Sequence, residues 1–283
     1  MNHPTRKCDR EMIDDERKLL ITSPHNPHVK EAARLRDRRQ REKQGRTLID
    51  GVRELRRALR AGVRLVEVFL CDALCSSDDA RSLLVELAQS GCEILHVSEK
   101  VSLKLAFGQR AEGVLGVAET PRPTLSSLVL PENGLVAVLE GVEKPGNVGA
   151  VLRSADAAGV SAVVVADGRT DLYNPNAIRA SLGTIFSMPL GEAPGSDVRE
   201  RLREQKYSII AARVDGAMPY TAVDYRGPTA IVLGSEAAGL SPLWSDPDIQ
   251  AVRLPMLGAA DSLNVSVTAA VLFYEALRQR SQR

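Results

Sequence analysis

The apolar positions of this chain fall into two alternating rhythms, one close to helical and one continuous or strand-like, and each switch marks an element. Residues 1–19 carry no apolar periodicity and are expected to form a charged tail; 21–30, with Pro24 and Pro27, read as an extended lead-in. From 31 to 45 the pattern predicts one surface helix, dense in Arg34, Arg36, Arg38, Arg39, Arg41 and Lys43 and poor in apolar residues. A strand at 47–49, a helix at 52–61 stopped by Gly62 and a strand at 65–70 follow. The helix at 78–89 has Ser76 or Ser77 as cap and Gly91 as stop. A strand at 93–97, a helical turn reaching Leu105 and a strand at 114–119 complete a compact βαβ-type unit, expected as one domain over 20–122. Pro121, Pro123 and the Ser/Leu stretch behind them predict a linker at 123–134.

Six further strands are expected at 135–139, 161–166, 184–190, 207–213, 229–233 and 249–256. They are apolar on both faces and separated by helices, which argues for a parallel sheet covered on both sides. The fold class is therefore α/β, with a small first domain and a parallel-sheet domain over 135–283. Ligands of such sheets bind outside the carboxyl ends of the strands. The last helix is entered through Pro255 and Gly258, with Asp261 or Ser262 expected as its cap. Leu263, Val267, Ala270, Val271, Tyr274 and Leu277 recur at helical spacing and are expected to face the core.

Charge sharpens the division into two domains. The formal net charge of the 283 residues is only +1, yet residues 1–60 carry +7 and the remainder −6. A basic N-terminal segment on a mildly acidic body predicts a polyanionic partner, with Arg34, Arg38 and Arg41 as candidate phosphate contacts. Aromatic residues make up 4%, too few for a base-stacking platform. Cys8, Cys71, Cys75 and Cys92 fit no metal-ligand spacing and read as free thiols in a reducing compartment, so no metal is expected. The chain shows neither an apolar signal core near its start nor a membrane-length apolar run, and a soluble, cytoplasmic protein without a membrane partner is expected.

Three loops that leave strand ends carry unusual chemistry. The first, 140–153, holds Gly141, Gly146 and Gly149, a possible helix cap at Asn147, and Arg153 opposite the stripe formed by Val148, Val151, Leu152 and Ala155. A long cation beside Ala150, Ser154 and Ala157 suggests a face that a substrate or a second subunit approaches. Its glycines do not fit the GxGxxG spacing, which argues against a dinucleotide-dependent oxidoreductase. In the second, 231–241, a strand runs straight into Gly234, Ser235 and Glu236. In the third, Leu254 to Asn264, Ser262 and Asn264 stand at a helix start, where free N–H groups favour an anionic group or a carbonyl.

Taken together, Asn147-x5-Arg153, the run LGSEAAGLS and the pair LPM and SLNVSV resemble, in order, the three motifs of the SpoU (TrmH-type) RNA ribose 2′-O-methyltransferases of the SPOUT superfamily. The upstream SPHNPHVK and GRTLIDGVRELRRAL are similar to the substrate-binding, ribosomal-protein-like domain of rRNA-modifying members. Ala237 stands where the family usually has Gly, and Glu112 where it often has Gln. The resemblance implies a deep trefoil knot, S-adenosylmethionine as cofactor, rRNA as partner and a homodimer formed through the C-terminal domain. It implies cofactor contacts at Leu233, Gly234, Leu254, Met256, Leu263 and Asn264, and catalytic roles for Arg153, Asn147, Glu236, Ser262 and Asn264. The alternatives are a tRNA ribose methyltransferase and a non-catalytic RNA- or ribosome-binding protein.

Overall fold

Two sheets organise the protein; the computed structural model describes residues 19–107 and 112–282. The tail expected at 1–19 lies, apart from Leu19, outside the described residues. The first unit runs α1 (Pro27–Arg34), α2 (Arg38–Gln44), β1 (Arg46–Asp50), α3 (Val52–Arg60), β2 (Leu65–Leu70), α4 (Asp78–Ser90), β3 (Glu93–His96), α5 (Glu99–Leu105) and β4 (Val114–Glu119). Its strands are ordered β1-β4-β2-β3, with β4 antiparallel to both neighbours and β2 parallel to β3. Strand alternation splits the side chains between two cores. Val114 and Ala118 of β4 pack with Leu55 of α3 and Leu83 of α4, whereas Leu115 and Val117 pack with Val29 of α1 and Val101 of α5.

The helix expected over 31–45 is two helices. Leu35 drops into the second of those cores, and Asp37 takes an extended conformation and caps α2, its carboxylate accepting from Gln40 N at 3.1 Å. Val29, Ala32 and Leu35 are buried, so this segment lines the domain instead of lying on it.

The second unit comprises β5 (Leu135–Glu140), α6 (Pro145–Ala157), β6 (Ala162–Ala166), α7 (Pro175–Ala180), β7 (Leu190–Ala193), α8 (Gly195–Glu204), β8 (Ser208–Ala212), β9 (Met218–Pro219), β10 (Thr229–Leu233), β11 (Gln250–Arg253) and α9 (Val265–Arg280). Its seven strands lie in the order β7-β6-β5-β10-β8-β11-β9, all parallel. Both faces are buried, as the uniformly apolar strands require. Ala137, Leu139, Val163 and Ile231 join α6, α7 and α9, while Val136, Val138, Val164 and Val232 join α8 and Trp244. Leu128 and Leu130 of the expected linker belong to that second core, so the connection is docked on the sheet.

Two expectations for this unit need correction. Residues 184–190 are not a strand: Gly183 takes a left-handed turn (φ 82°), Thr184–Phe186 forms a short 3-10 helix, and pairing with β6 begins at Leu190. In α9 the core face is Val265, Ala269, Leu272, Phe273 and Ala276. Val267 and Tyr274 are instead about half exposed (47% and 52%). Ser266, Thr268, Glu275 and Arg278 fall on different sides of the helix, so periodicity alone could not choose between its faces.

The two units share one continuous core and several polar ties. Thr47 Oγ1 donates to Tyr173 O at 2.6 Å, and Arg57 donates to Leu182 O at 3.1 Å. Cys71, Cys75 and Cys92 are free, with burial pushing the Cys75 thiol up to about 11. Among the described residues, no helix is long and apolar enough to cross a membrane.

Candidate active site

Strand order turns at β5 and β10. These neighbours run parallel in register, Leu139 opposite Leu233, so Glu140 and Gly234 leave the sheet side by side at its carboxyl edge. Glu140 is buried, and its carboxylate accepts from Ser241 N (2.7 Å), Ser241 Oγ (2.7 Å) and Trp244 Nε1 (2.8 Å). Three donors on one buried carboxylate satisfy it and clamp the loop after β10 to the end of β5. Within that loop Ser235 and Gly239 bond back to each other, and a side chain at Gly234 would strike the Gly239 backbone. The glycine at 234 is thus needed by the loop's own fold as well as by anything bound beside it.

Glu236 is the meeting point of the three loops. It accepts from Asn147 Nδ2, from Asn264 Nδ2 at 2.8 Å, and pairs with Lys144 Nζ at 2.9 Å. Asn264 Nδ2 also lies 3.3 Å from Asn147 Oδ1, while its Oδ1 caps α9 by accepting from Ser266 N at 2.9 Å. The expected caps therefore shift: Asn264 replaces Asp261 or Ser262 at α9, and Lys144 with Pro145 begins α6. Asn147 lies inside the first turn, and its side chain is left to reach Glu236. A carboxylate beside the start of α6 is electrostatically favoured, and it compensates for a lysine at the positive end of a helix.

Beside this network opens a cleft of about 600 Å³ at the carboxyl ends of β8, β10 and β11. Leu233, Gly234, Leu254, Met256 and Leu263 line it, together with Glu236 and Ser262. Asn264 faces the Glu236 network and is not among the lining residues. Val252, Val265 and Leu240 add apolar wall; Arg213, Asp215 and Thr268 add polar rim.

Arg153 is exposed on α6 and has no hydrogen bond or ion pair among the described residues. It sits six residues after Asn147, about 9 Å further along the helix and about 120° around it, so it stands apart from the Glu236 network. Gly149, between them, serves α7: a Cβ there would come within 2.7 Å of Ala180 Cβ.

The expected RNA contacts divide. Arg41 is buried (4% exposed), pairs with Asp171 at 2.6 Å and donates to Leu35 O and Arg36 O. It fastens the two units together and is not available to a ligand. Arg34 and Arg38 remain exposed, paired to Glu31 and Glu42. Glu112 accepts from Val52 N at 2.9 Å and so closes the start of α3. The described residues also bring the ligand atoms of His28 on α1 and of Glu67 and Glu93 on the first sheet within 4.8 Å of one another, outside this site. Sequence reading missed Lys144 and Glu140. The signal for Glu140 was an acid ending a fully apolar strand, and for Lys144 a cation directly before a helix-starting proline.

Residues 134–274 match the SpoU rRNA Methylase family, and 26–116 match an MRM3-like substrate binding domain. The chain is 30% identical over 269 residues to the 23S rRNA (uridine(2479)-2'-O)-methyltransferase of Streptomyces viridochromogenes, covering 92% of each. It resembles the crystal structure of an RNA 2'-O ribose methyltransferase at 41% identity and TM-score 0.82, over 93% of this chain and 100% of the other. An AdoMet-bound rRNA methyltransferase from Sinorhizobium meliloti matches with TM-score 0.82 and 26% identity, over 92% of this chain and 97% of that one. The match runs through all three loops that meet at Glu236, and the chain belongs to the SpoU rRNA methylase family.

Proposed function

We infer that this protein is an S-adenosylmethionine-dependent methyltransferase acting on a ribose 2′-hydroxyl of large-subunit (23S) rRNA. The observation that carries the reading is the convergence of Lys144, Asn147 and Asn264 on Glu236 beside the cleft. Relatives named for 23S rRNA, from Streptomyces viridochromogenes and Photobacterium profundum among others, favour rRNA over a tRNA substrate. A non-catalytic binding role would leave this network and the unpaired Arg153 without a task.

The cleft suits S-adenosylmethionine by size and by chemistry. Leu254, Met256 and Leu263 offer an apolar bed, and Arg213, Asp215 and Ser262 offer charged and hydroxyl partners for the polar ends of an amphipathic ligand. When bound, the cofactor would supply a methyl group from its sulfonium, the C–S bond breaking to release the neutral thioether of S-adenosylhomocysteine. The residues then mainly position the hydroxyl, whose proton passes to solvent as the O–CH3 bond forms. Guanidinium does not deprotonate in proteins, so Arg153 serves as a fixed cation that holds a neighbouring phosphate and stabilises the developing alkoxide. Asn147 and Asn264 hold Glu236 on the ribose side, and Glu236 and Ser262 line the cleft.

The first unit (20–122) engages RNA and the second (135–283) performs the chemistry, with 123–134 between them. Residues 254–264 return from β11 to α9, which packs on α6 beside β5. This is the path on which the C-terminus would be threaded into a trefoil knot. A second copy docks on the exposed apolar side of α9, where Val267 and Tyr274 face solvent next to Leu263. Helix α6 packs beside α9, so the exposed Arg153 of α6 would work near the dimer boundary. Action on rRNA assigns the protein to the cytoplasm. The test is to map 2′-O-methyl positions in 23S rRNA with and without the gene: one position that depends on the gene supports the reading, and identical maps overturn it.

A further inference from the structure

The cations of α2 and its surroundings fall into two sets. Arg38 and Arg41 are spent on the protein: Arg38 pairs with Glu42 and donates to Arg169 O at 3.0 Å, and Arg41 pairs with Asp171. Arg39, Lys43, Arg46 and Arg122 are exposed, and none has a side-chain hydrogen bond or ion pair among the described residues. Three separate segments bring them to one place. Arg39 and Lys43 are one turn apart on α2, on the same side of the helix. Gly45 ends the helix in a left-handed conformation (φ 60°) and turns the chain directly into Arg46 at the start of β1. Thr120 N donates to Gly45 O at 2.9 Å, which ties the segment after β4 to this turn, and an Arg122 Nη2 lies 3.9 Å from where a Gly45 Cβ would be. The acid nearest in register, Glu119 opposite Arg46, is paired with Arg64 at 2.9 Å.

The position of this group matters as much as its charge. Arg38 rests on Arg169 O, Arg169 pairs with Glu143 at 3.2 Å, and Glu143 adjoins Lys144 of the Glu236 network. Helix α2 is therefore seated on the loop after β6, on the same carboxyl edge of the large sheet that carries the cleft. A polyanion lying across Arg39, Lys43, Arg46 and Arg122 can continue toward the candidate active site without rounding an edge of the molecule.

We propose that Arg39, Lys43, Arg46 and Arg122 form the phosphate-contacting surface by which the first unit holds the backbone of the rRNA substrate. The proposal rests on the rRNA reading above. It moves the contact away from the arginines that are already neutralised and gives the mixed fate of the α2 cations a reason: one set docks the domain, the other meets the substrate. Cations at the end of a helix also relieve its dipole, and that structural role would show in stability and not in salt dependence.

The test uses the full chain and a 23S rRNA transcript, with affinity measured across a range of salt concentrations. Removing one phosphate-binding cation flattens the log–log slope by ~0.7–0.9. Replacing all four residues with Gln is expected to reduce the slope by about 3 while leaving melting temperature and S-adenosylmethionine affinity at wild-type values. The Arg34→Gln/Arg38→Gln double variant is expected to change the slope by less than about 1. Single Arg39→Gln and Lys43→Gln variants guard against a folding defect in the fourfold variant and should each give about a quarter of its change. A steep wild-type slope that the four substitutions leave unaltered overturns this surface and leaves the rRNA reading standing. A wild-type protein with no salt-dependent affinity for the transcript, yet normal cofactor binding, overturns both.

Discussion

Helices α2 and α6 each carry an arginine that the sequence marks as a substrate contact, and the fold uses the two in opposite ways. Arg41 on α2 is buried against Asp171 and two backbone carbonyls, whereas Arg153 on α6 is exposed and meets no partner among the described residues. The sequence around Arg41 is by far the more basic, yet Arg153 is the one the fold leaves without a partner among the described residues. Density of charge reports how many cations are present. Whether one is available depends on whether a distant acid comes to meet it, and Asp171 lies 130 positions downstream of Arg41.

If the two arginines differ in this way, Arg41→Ala should cost stability and leave the chemistry alone. Removing one partner of a buried ion pair typically costs about 3–5 kcal/mol. Denaturant unfolding is expected to show a loss of that order, with S-adenosylmethionine binding intact in the folded fraction. A loss below ~1 kcal/mol would mean that Arg41 is not a fastening residue. Gly149→Ala tests the scaffold under Arg153, since the added methyl would press on Ala180 of α7. Overpacking of this kind costs about 1–3 kcal/mol, readable as a lowered melting temperature. An unchanged melting temperature would show that α6 and α7 can part freely.

Smaller effects are expected within the Glu236 network. Asn264→Ala removes the α9 cap and one donor to Glu236, a change worth about 1 kcal/mol. Because Leu263 and Val265 on either side line the cleft, calorimetric titration should show cofactor affinity weakened about fivefold. Unchanged affinity would reduce Asn264 to a helix cap. Lys144→Ala removes a mostly exposed ion-pair partner, and stability should move by less than ~1 kcal/mol. Turnover should still fall severalfold as Glu236 loses one of its three holders; full turnover would remove Lys144 from the site.

Much of the architecture was legible because it depends on local patterning. The continuous apolar runs in β5, β6 and β10 require a sheet buried on both faces, and the glycine stops after α3 and α4 are local chemistry. The three loops were legible as candidates, and Leu233, Gly234, Leu254, Met256 and Leu263 from two of them and the strand ends lie along one cleft. What failed depended on distant partners. The buried face of α9 is chosen by packing against α6, since its polar residues are scattered around the helix and mark no single outer face. The cap of α9 moved to Asn264 because that side chain serves the helix with its oxygen and Glu236 with its nitrogen. The break at Leu35 follows from the burial of that side chain in the second core of the first unit, which polarity along 31–45 does not reveal.

The most direct measurement is transfer of labelled methyl from S-adenosylmethionine to 23S rRNA by wild type and by Arg153→Ala, followed by digestion to nucleosides. Wild type is expected to place the label in a 2′-O-methylnucleoside. The variant is expected to fall at least about a hundredfold, ~2.7 kcal/mol of barrier, with unfolding and cofactor affinity unchanged. Label recovered in a base instead of a ribose would contradict a ribose methyltransferase, and an Arg153→Ala protein that keeps more than about a tenth of the activity would contradict the role given to Arg153.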